Sequence, residues 1–303
     1  MTITSRVIIR SFLTYSFVNS KSLAPTYYVR ARDYIGVPFG TLGIECRMKK
    51  GILLDKNSLQ IFSHFEEFYF NAFGQQRVPN PAYMSRLSRF LEILKDHKVV
   101  VGNITKESLD EVSCLVVLTR IRDFSEGELK AVLEFVQNED SSLLLMSNHN
   151  PFELQDNALT SELGISLIGG YWSGERGVYT LIEGDSLTNH AIIAGKEGEQ
   201  PVKTIVTNTT CRIESDVGTP FIFLPDSMVG KWSSENEPEM KNKIFGLVVD
   251  GKKGQYELIK GKVIVLADSG FIGDKDSTFP GFGVIDKGDN EMFVRRIFEY
   301  LMN

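Results

Sequence analysis

Cysteine is scarce in this chain. Its 303 residues include three, Cys46, Cys114 and Cys211, an odd number at wide spacing that fits neither a disulfide framework nor a Cys-x-x-Cys zinc site. Positive charge is in deficit: 33 Lys and Arg face 39 Asp and Glu, for a formal net charge of −6. Duplex and single-strand binding draw on Lys and Arg contacts to phosphate, so no nucleic-acid partner is expected. No apolar run approaches the roughly 20 residues of a membrane-spanning helix, so no membrane span is expected either. Low-complexity linkers and internal repeats are also missing. Together with ordinary globular hydrophobic and charged fractions, this points to one elaborated soluble domain.

What is present centres on residues 125–151. Ser125 and Glu128 stand as Ser-x-x-Glu, a capping box that starts a helix. Leu129, Val132, Leu133 and Val136 recur at helical spacing, and Asn138 to Ser142 end the element. Leu143 to Met146 is apolar without alternation, as expected of a central strand covered on both faces. Ser147-Asn148-His149-Asn150-Pro151 follows at once, where open α/β sheets place their binding crevices.

The same alternation runs through much of the chain. Gly51 to Asp55 reads as a first core strand, Val99 to Val101 as a second and Cys114 to Leu118 as a third, with a capped turn at Thr105 before the last. Asn80-Pro81 opens a helix with Tyr83, Leu87, Phe90, Leu91 and Leu94 on one side. The aromatic-rich stretch Leu59 to Phe73, around His64, reads as a packing helix or lid. Asn157 to Leu163 is a short helix stopped by Gly164, and Ile165 to Ile168 a strand. Brief β-rich pieces occupy about 200–256. Lys262 to Ala267 returns to the core, and Asp289 is placed to cap a closing helix packed through Phe293, Val294, Ile297, Phe298 and Leu301. The expected fold is α/β, a three-layer domain with a mostly parallel sheet and a β-rich insertion. The domain spans 48–303.

Residues 1–47 are expected to be an extension of uncertain structure. Ser22-Leu23-Ala24 resembles a cleavage site after a segment that Ser, Thr and Tyr dilute. A cytoplasmic location is expected, or secretion if residues 1–24 are a signal peptide.

The order of motifs resembles a bacterial family, the loosely characterised class I glutamine amidotransferase-like proteins. These are related in fold to ThuA-like and intraflagellar-transport GIFT-type domains. The pieces that carry the resemblance are Leu54-Asp55, Phe124 to Glu128, Asn148 to Phe152, Asn189 to Gly195, Ala267 to Gly270 and Asp289-Asn290. It implies a flavodoxin-like, class I glutamine amidotransferase-like sheet. The family's first motif continues from the Asp into a Glu-Ala-His-Asn-like run, where this chain has Lys56-Asn57-Ser58, with His64 the nearest replacement. In true class I amidotransferases the turn after the strand equivalent to Leu143–Met146 carries a nucleophilic cysteine. Here that turn holds Ser147 and no cysteine, and Cys114 begins its strand rather than ending it. Glutaminase chemistry is therefore not expected. Ser147 lacks the flanking glycines of a strained elbow.

The candidate site is Asp55, Asn148, His149, Asp268 and Ser269, with His190 as a further member, all at strand ends or turns. If the three strands are parallel, these side chains emerge into one crevice. They would bind a small polar ligand, carbohydrate or partner protein, with Trp172 and Trp232 as stacking faces. A rival is hydrolysis, with His149 as general base oriented by Asp268, or with a divalent metal on His149, Asp55 and Asp268. A third reading has Asp and Asn forming turns and His149 bonded to a loop carbonyl.

Overall fold

In the computed structural model the chain divides into two units, Met1–Lys49 and Lys50–Asn303. The structure describes residues 51–58, 87–172, 179–230, 243–254, 256–274 and 283–303, all in the second unit. The N-terminal extension, the aromatic stretch with His64, the Asn80-Pro81 helix start, the Trp172 side chain and Trp232 lie outside the described residues.

The strands are β1 (Gly51–Asp55), β2 (Lys98–Gly102), β3 (Cys114–Leu118), β4 (Ser142–Met146), β5 (Ile165–Trp172), β6 (Thr180–Glu183), β7 (Thr204–Thr207), β8 (Thr210–Ser215), β9 (Thr219–Phe223), β10 (Val229–Gly230), β11 (Ile244–Asp250) and β12 (Lys262–Leu266). The helices are α1 (Ser88–Ile93), α2 (Lys106–Asp110), α3 (Glu126–Val136), α4 (Glu153–Glu162), α5 (Ala191–Ala194) and α6 (Asn290–Leu301). Both expected caps at α2 and α3 form. Ser125 accepts from the Glu128 amide while Glu128 returns to the Ser125 amide, and Thr105 makes the same reciprocal pair with Ser108.

One sheet runs β10-β5-β8-β11-β12-β4-β3-β1-β2, with β9 also on β11. The pairs among β2, β1, β3, β4 and β12 are parallel. Beyond β12 the pairing turns antiparallel through β11, β8, β9, β5 and β10. The β-rich stretch at about 200–256 thus supplies β8, β9, β10 and β11 to the same sheet, and β7 pairs with β6 apart from it. The molecule is α/β, with parallel crossovers in one half of the sheet.

Every residue of β1, β3 and β4 is buried. Side chains alternate between faces along a strand, so both faces of these strands are covered. Val248 and Val249 of β11 pair with Ile264 and Val263 of β12 and extend this core into the antiparallel half. Packing is close at Gly246, where a Cβ would lie 3.0 Å from the Phe221 ring and 3.1 Å from Leu266.

Three expectations are corrected. β2 reads like its neighbours, yet Val100 and Val101 are 40% and 53% exposed, because β2 ends the strand order and pairs with β1 alone among the described strands. Leu91, expected on the packed side of its helix, is exposed, while Leu87, Phe90 and Leu94 are buried. Asp289 occupies the N-cap position of α6 without capping it, and its carboxylate instead accepts from the Lys203 and Thr204 amides at 2.8 and 3.1 Å.

Candidate functional site

The parallel strands end together, and the polar residues that follow β1, β3, β4 and β12 form two buried groups. After β1, the Asn57 amide donates to Asp55 Oδ1 at 3.1 Å, and Ser58 Oγ accepts from the Leu118 amide at 2.9 Å, fastening this turn to the end of β3. There the chain passes through Thr119, whose φ of 55° makes it the only non-glycine residue with positive φ among the described residues. A β-branched residue is strained in that region. It is held by bonds from its amide (2.6 Å) and hydroxyl (3.1 Å) to the Met146 carbonyl, and by a hydroxyl contact with Ser269.

Arg120 comes next and is 1% exposed. Its Nε lies 3.4 Å from Asp55 Oδ2, its Nη2 bonds Glu128, and its guanidinium stacks 3.9 Å from the Phe124 ring centre. Its amide donates to Asp156 Oδ1 at 2.8 Å, while Ser147 Oγ donates to Asp156 Oδ2 at 2.8 Å. One carboxylate of α4 therefore joins the ends of β3 and β4. Not every atom of this group is satisfied. Asp55 Oδ2, Arg120 Nε and Arg120 Nη1 are buried without a hydrogen bond, as is Glu153 Oε2 at the start of α4.

Burial governs the acids. Desolvation pushes Asp55 up to about 6 although Arg120 pulls it down, and pushes Asp156 up to about 8 and Glu153 to about 7. At Glu128 burial acts the same way, but the Ser125 amide and Arg120 outweigh it and hold the carboxyl below its usual range.

The second group gathers around Asp268. Its Oδ2 accepts from Thr207 Oγ1 and its Oδ1 from the Gly270 amide, both at 2.6 Å, yet burial still raises it to about 6. Asn148 and His149, which follow β4, line one cavity with it. The His149 amide donates to Asn148 Oδ1 at 2.8 Å, the imidazole meets the Phe152 ring edge-on at 5.3 Å, and Nδ1 lies 2.7 Å from the Asn150 carbonyl. A carbonyl can only accept, so Nδ1 carries the proton in this contact. Burial lowers the imidazole's pKa and favours this neutral form. Asn148, His149, Asp268 and Gly270 line a cavity of about 30 Å³ together with Asn208 and Thr209. That is room for a water molecule and too little for an organic ligand.

The structure thus brings Asn148, His149 and Asp268 to one cavity, ties Ser269 to Thr119, and sets Asp55 in the Arg120 group. His190 is elsewhere. Its Nδ1 caps α5 by accepting from the Ile192 amide at 3.3 Å, and its ring packs on Tyr300, which bonds Asp250 and Lys262 at the opposite end of β12 from Asp268. Asp55, His149 and Asp268 do not form the metal-holding trio expected: among the described residues no group of three or more His, Cys, Asp or Glu has a metal-holding arrangement.

Sequence reasoning missed Thr119, Arg120, Asp156, Glu153 and Thr207. Arg120 carried a signal, since it follows a buried strand as Asp55 and Asp268 do. Asp156 and Thr207 read locally as an ordinary helix position and a strand end. Neither described cysteine is available as a nucleophile. Cys114 is pushed up to about 12 at the amino end of β3, and Cys211, its thiol 3.3 Å from the Ala267 carbonyl, is pushed far up by burial and nearby carboxyls.

A mixed sheet with a polar carboxyl edge defines an α/β protein. No family model matches the chain, and no curated protein does. Among solved structures, the mmIFT52 N-terminal domain is similar at a TM-score of 0.57 and 14% identity, covering 83% of this chain and 97% of that one. A ThuA-like protein from Bacteroides uniformis ATCC 8492 is similar at a TM-score of 0.47 and 11% identity, covering 85% and 94%. The first likeness is one of fold, and the second is too loose to carry an argument. Among the described residues no helix is long and apolar enough to cross a membrane.

Proposed function

We propose that this chain is a non-glutaminase domain of the flavodoxin-like, amidotransferase-like kind. It would bind a small polar ligand, carbohydrate or partner protein over the carboxyl edge of its sheet, outside the water-sized cavity, without performing chemistry there. The parallel strand order β2-β1-β3-β4-β12 is the order of flavodoxin-like sheets, whose ligands sit beyond the strand ends where the order reverses. The observation that carries the reading is at His149. Its Nδ1 is bonded to the Asn150 carbonyl at 2.7 Å, and both oxygens of Asp268 are taken by Thr207 and Gly270. Nδ1–H thus faces a loop carbonyl, whereas in a Ser-His-Asp arrangement it would face the carboxylate. Ser147 donates to Asp156 and has no imidazole among its hydrogen-bond partners here.

A hydrolase using His149 and Asp268 is the second reading, favoured by their place on one cavity wall. The test assays the full chain against chromogenic esters, phosphates and glycosides and against glutamine, with elemental analysis of bound metal, each repeated on His149→Ala. The binding reading expects no turnover and no stoichiometric metal. Turnover or metal that disappears in a folded His149→Ala would overturn it.

A further inference from the structure

The two ends of the strand order are finished differently. At one end β10 is two residues long and offers almost no edge, a common way of keeping a sheet from pairing further. At the other, β2 is a five-residue strand in unbroken register with β1, with no proline, no bulge and a single charge, Lys98. Val100 and Val101, on its opposite faces, are the exposed valines noted above.

The inner side of β2 fixes which backbone groups are free. The Gly102 carbonyl accepts from the Lys56 amide at 2.9 Å, so Gly102, Val100 and Lys98 direct their peptide groups at β1. Val99 and Val101 direct theirs outward, where no strand lies among the described residues. An antiparallel copy of β2 with a two-fold axis through Val100 takes every one of these groups. Val99 and Val101 of the second copy exchange both N–H and C=O bonds, and the reverse pair does the same.

Side chains fit the same register. Val99 packs on the core of its own chain, and the exposed Val101 of the second copy lands on it. Val100 meets itself at the axis. Lys98 lies opposite Gly102, which has no side chain to obstruct the lysine stem. An axis through Lys98 would instead set two ammonium groups against each other. An axis through Val99 would call on the His97 amide, which is already bonded to the Leu94 carbonyl at 2.9 Å.

From this fit we infer that the free edge of β2 is an interface with a second copy of this chain, paired antiparallel about a two-fold axis at Val100 so that the two sheets become one. Charge and the free peptide groups select the register, and the valines supply the contact. A five-residue edge buries less area than a permanent dimer needs, so the association is reversible.

Sedimentation equilibrium on the full chain, from about 10 µM to about 1 mM, should show monomer and dimer in exchange. Val100→Lys sets like charges at the axis, and Val101→Pro removes an N–H that faces away from β1. Each should raise the dissociation constant about tenfold or more. Crosslinking reads the register, in a Cys46→Ser background where Cys114 and Cys211 are buried. Val100→Cys, oxidised with copper phenanthroline, should close a disulfide between copies, because residues paired across the axis lie within disulfide reach. Val99→Cys, which faces Val101, should not. The inference is overturned if the full chain stays monomeric at the highest concentration, if both edge variants fold and dimerise as the unaltered chain does, or if Val99→Cys crosslinks as readily as Val100→Cys.

Discussion

At the β12 end of the carboxyl edge, one buried carboxylate accepts from Thr207 Oγ1 and the Gly270 amide, each at 2.6 Å, with the Ser269 and Phe271 amides also lowering its pKa. At the β1 and β3 ends, Arg120 lies among Asp55, Glu128 and Asp156, and three charged-group atoms, Asp55 Oδ2, Arg120 Nε and Arg120 Nη1, make no hydrogen bond. Asp268 is held by local dipoles, and Arg120 by opposite charge at imperfect geometry. The first kind of site responds mainly to loss of acceptors. The second responds to loss of charge balance, since removing the one cation strands several acids in a dry interior.

Arg120→Met puts that contrast under the greatest stress. It should destabilise the fold by about 3–5 kcal/mol, read as a lower denaturation midpoint in urea, because Asp55 and Glu128 lose the guanidinium between them. A cost below that of the next variant would mean that the guanidinium does not balance these acids. Asp268→Ala should cost about 2–4 kcal/mol by leaving the Thr207 hydroxyl and the Gly270 amide without their acceptor, with Asp268→Asn recovering part of it. Equal effects of Ala and Asn would show that acceptor loss is not the mechanism.

The pH dependence sharpens the comparison. Asp156 and Asp55 are raised in the folded chain, to about 8 and about 6, so the folded state holds their protons more tightly than the unfolded one. Their contribution is fully present below the unfolded carboxylate pKa near 4 and is lost as pH rises through the folded values. Asp156→Asn should therefore flatten the decline in stability between about pH 4 and pH 8, measured by urea unfolding across that range. An unchanged slope would place the proton elsewhere. The smallest effect is expected at His149→Ala, about 1 kcal/mol or less, since it removes one loop contact and the edge of one ring. A cost comparable to Arg120→Met in the same urea series would make His149 a structural keystone.

The parts of the fold that sequence reveals are those decided within a few residues. Ser125 and Glu128 predict their own capping box because both partners lie in one turn, and Leu143 to Met146 announce a buried strand by lacking alternation. Val99 to Val101 give the same signal, yet Val100 and Val101 are exposed, because burial of a strand depends on its place in the sheet order, which three valines cannot encode. Asp289 looks like a cap, but distant amides of Lys203 and Thr204 win its carboxylate. The site follows the same division. Asp55, Asn148 and Asp268 are found by looking for polar residues after apolar runs. His190 also sits at a turn, yet the long connection that carries it ends at the far end of β12. Asp156 enters through the Ser147 hydroxyl and, 36 residues away, the amide of Arg120.

That last contact bears on how the edge can open. The Arg120 amide is bonded to a side chain of α4 rather than to a neighbouring strand, while Ser147 grips the other oxygen of the same carboxylate. Exchange of the Arg120 amide hydrogen with solvent thus requires Asp156 to withdraw, and with it the first turns of α4. The amide is a reporter for detachment of that helix. Protection equal to that of the β3 and β4 amides would mean that the helix and the strand ends come apart only in global unfolding. Weaker protection would reveal α4 as a unit that swings away from an intact sheet.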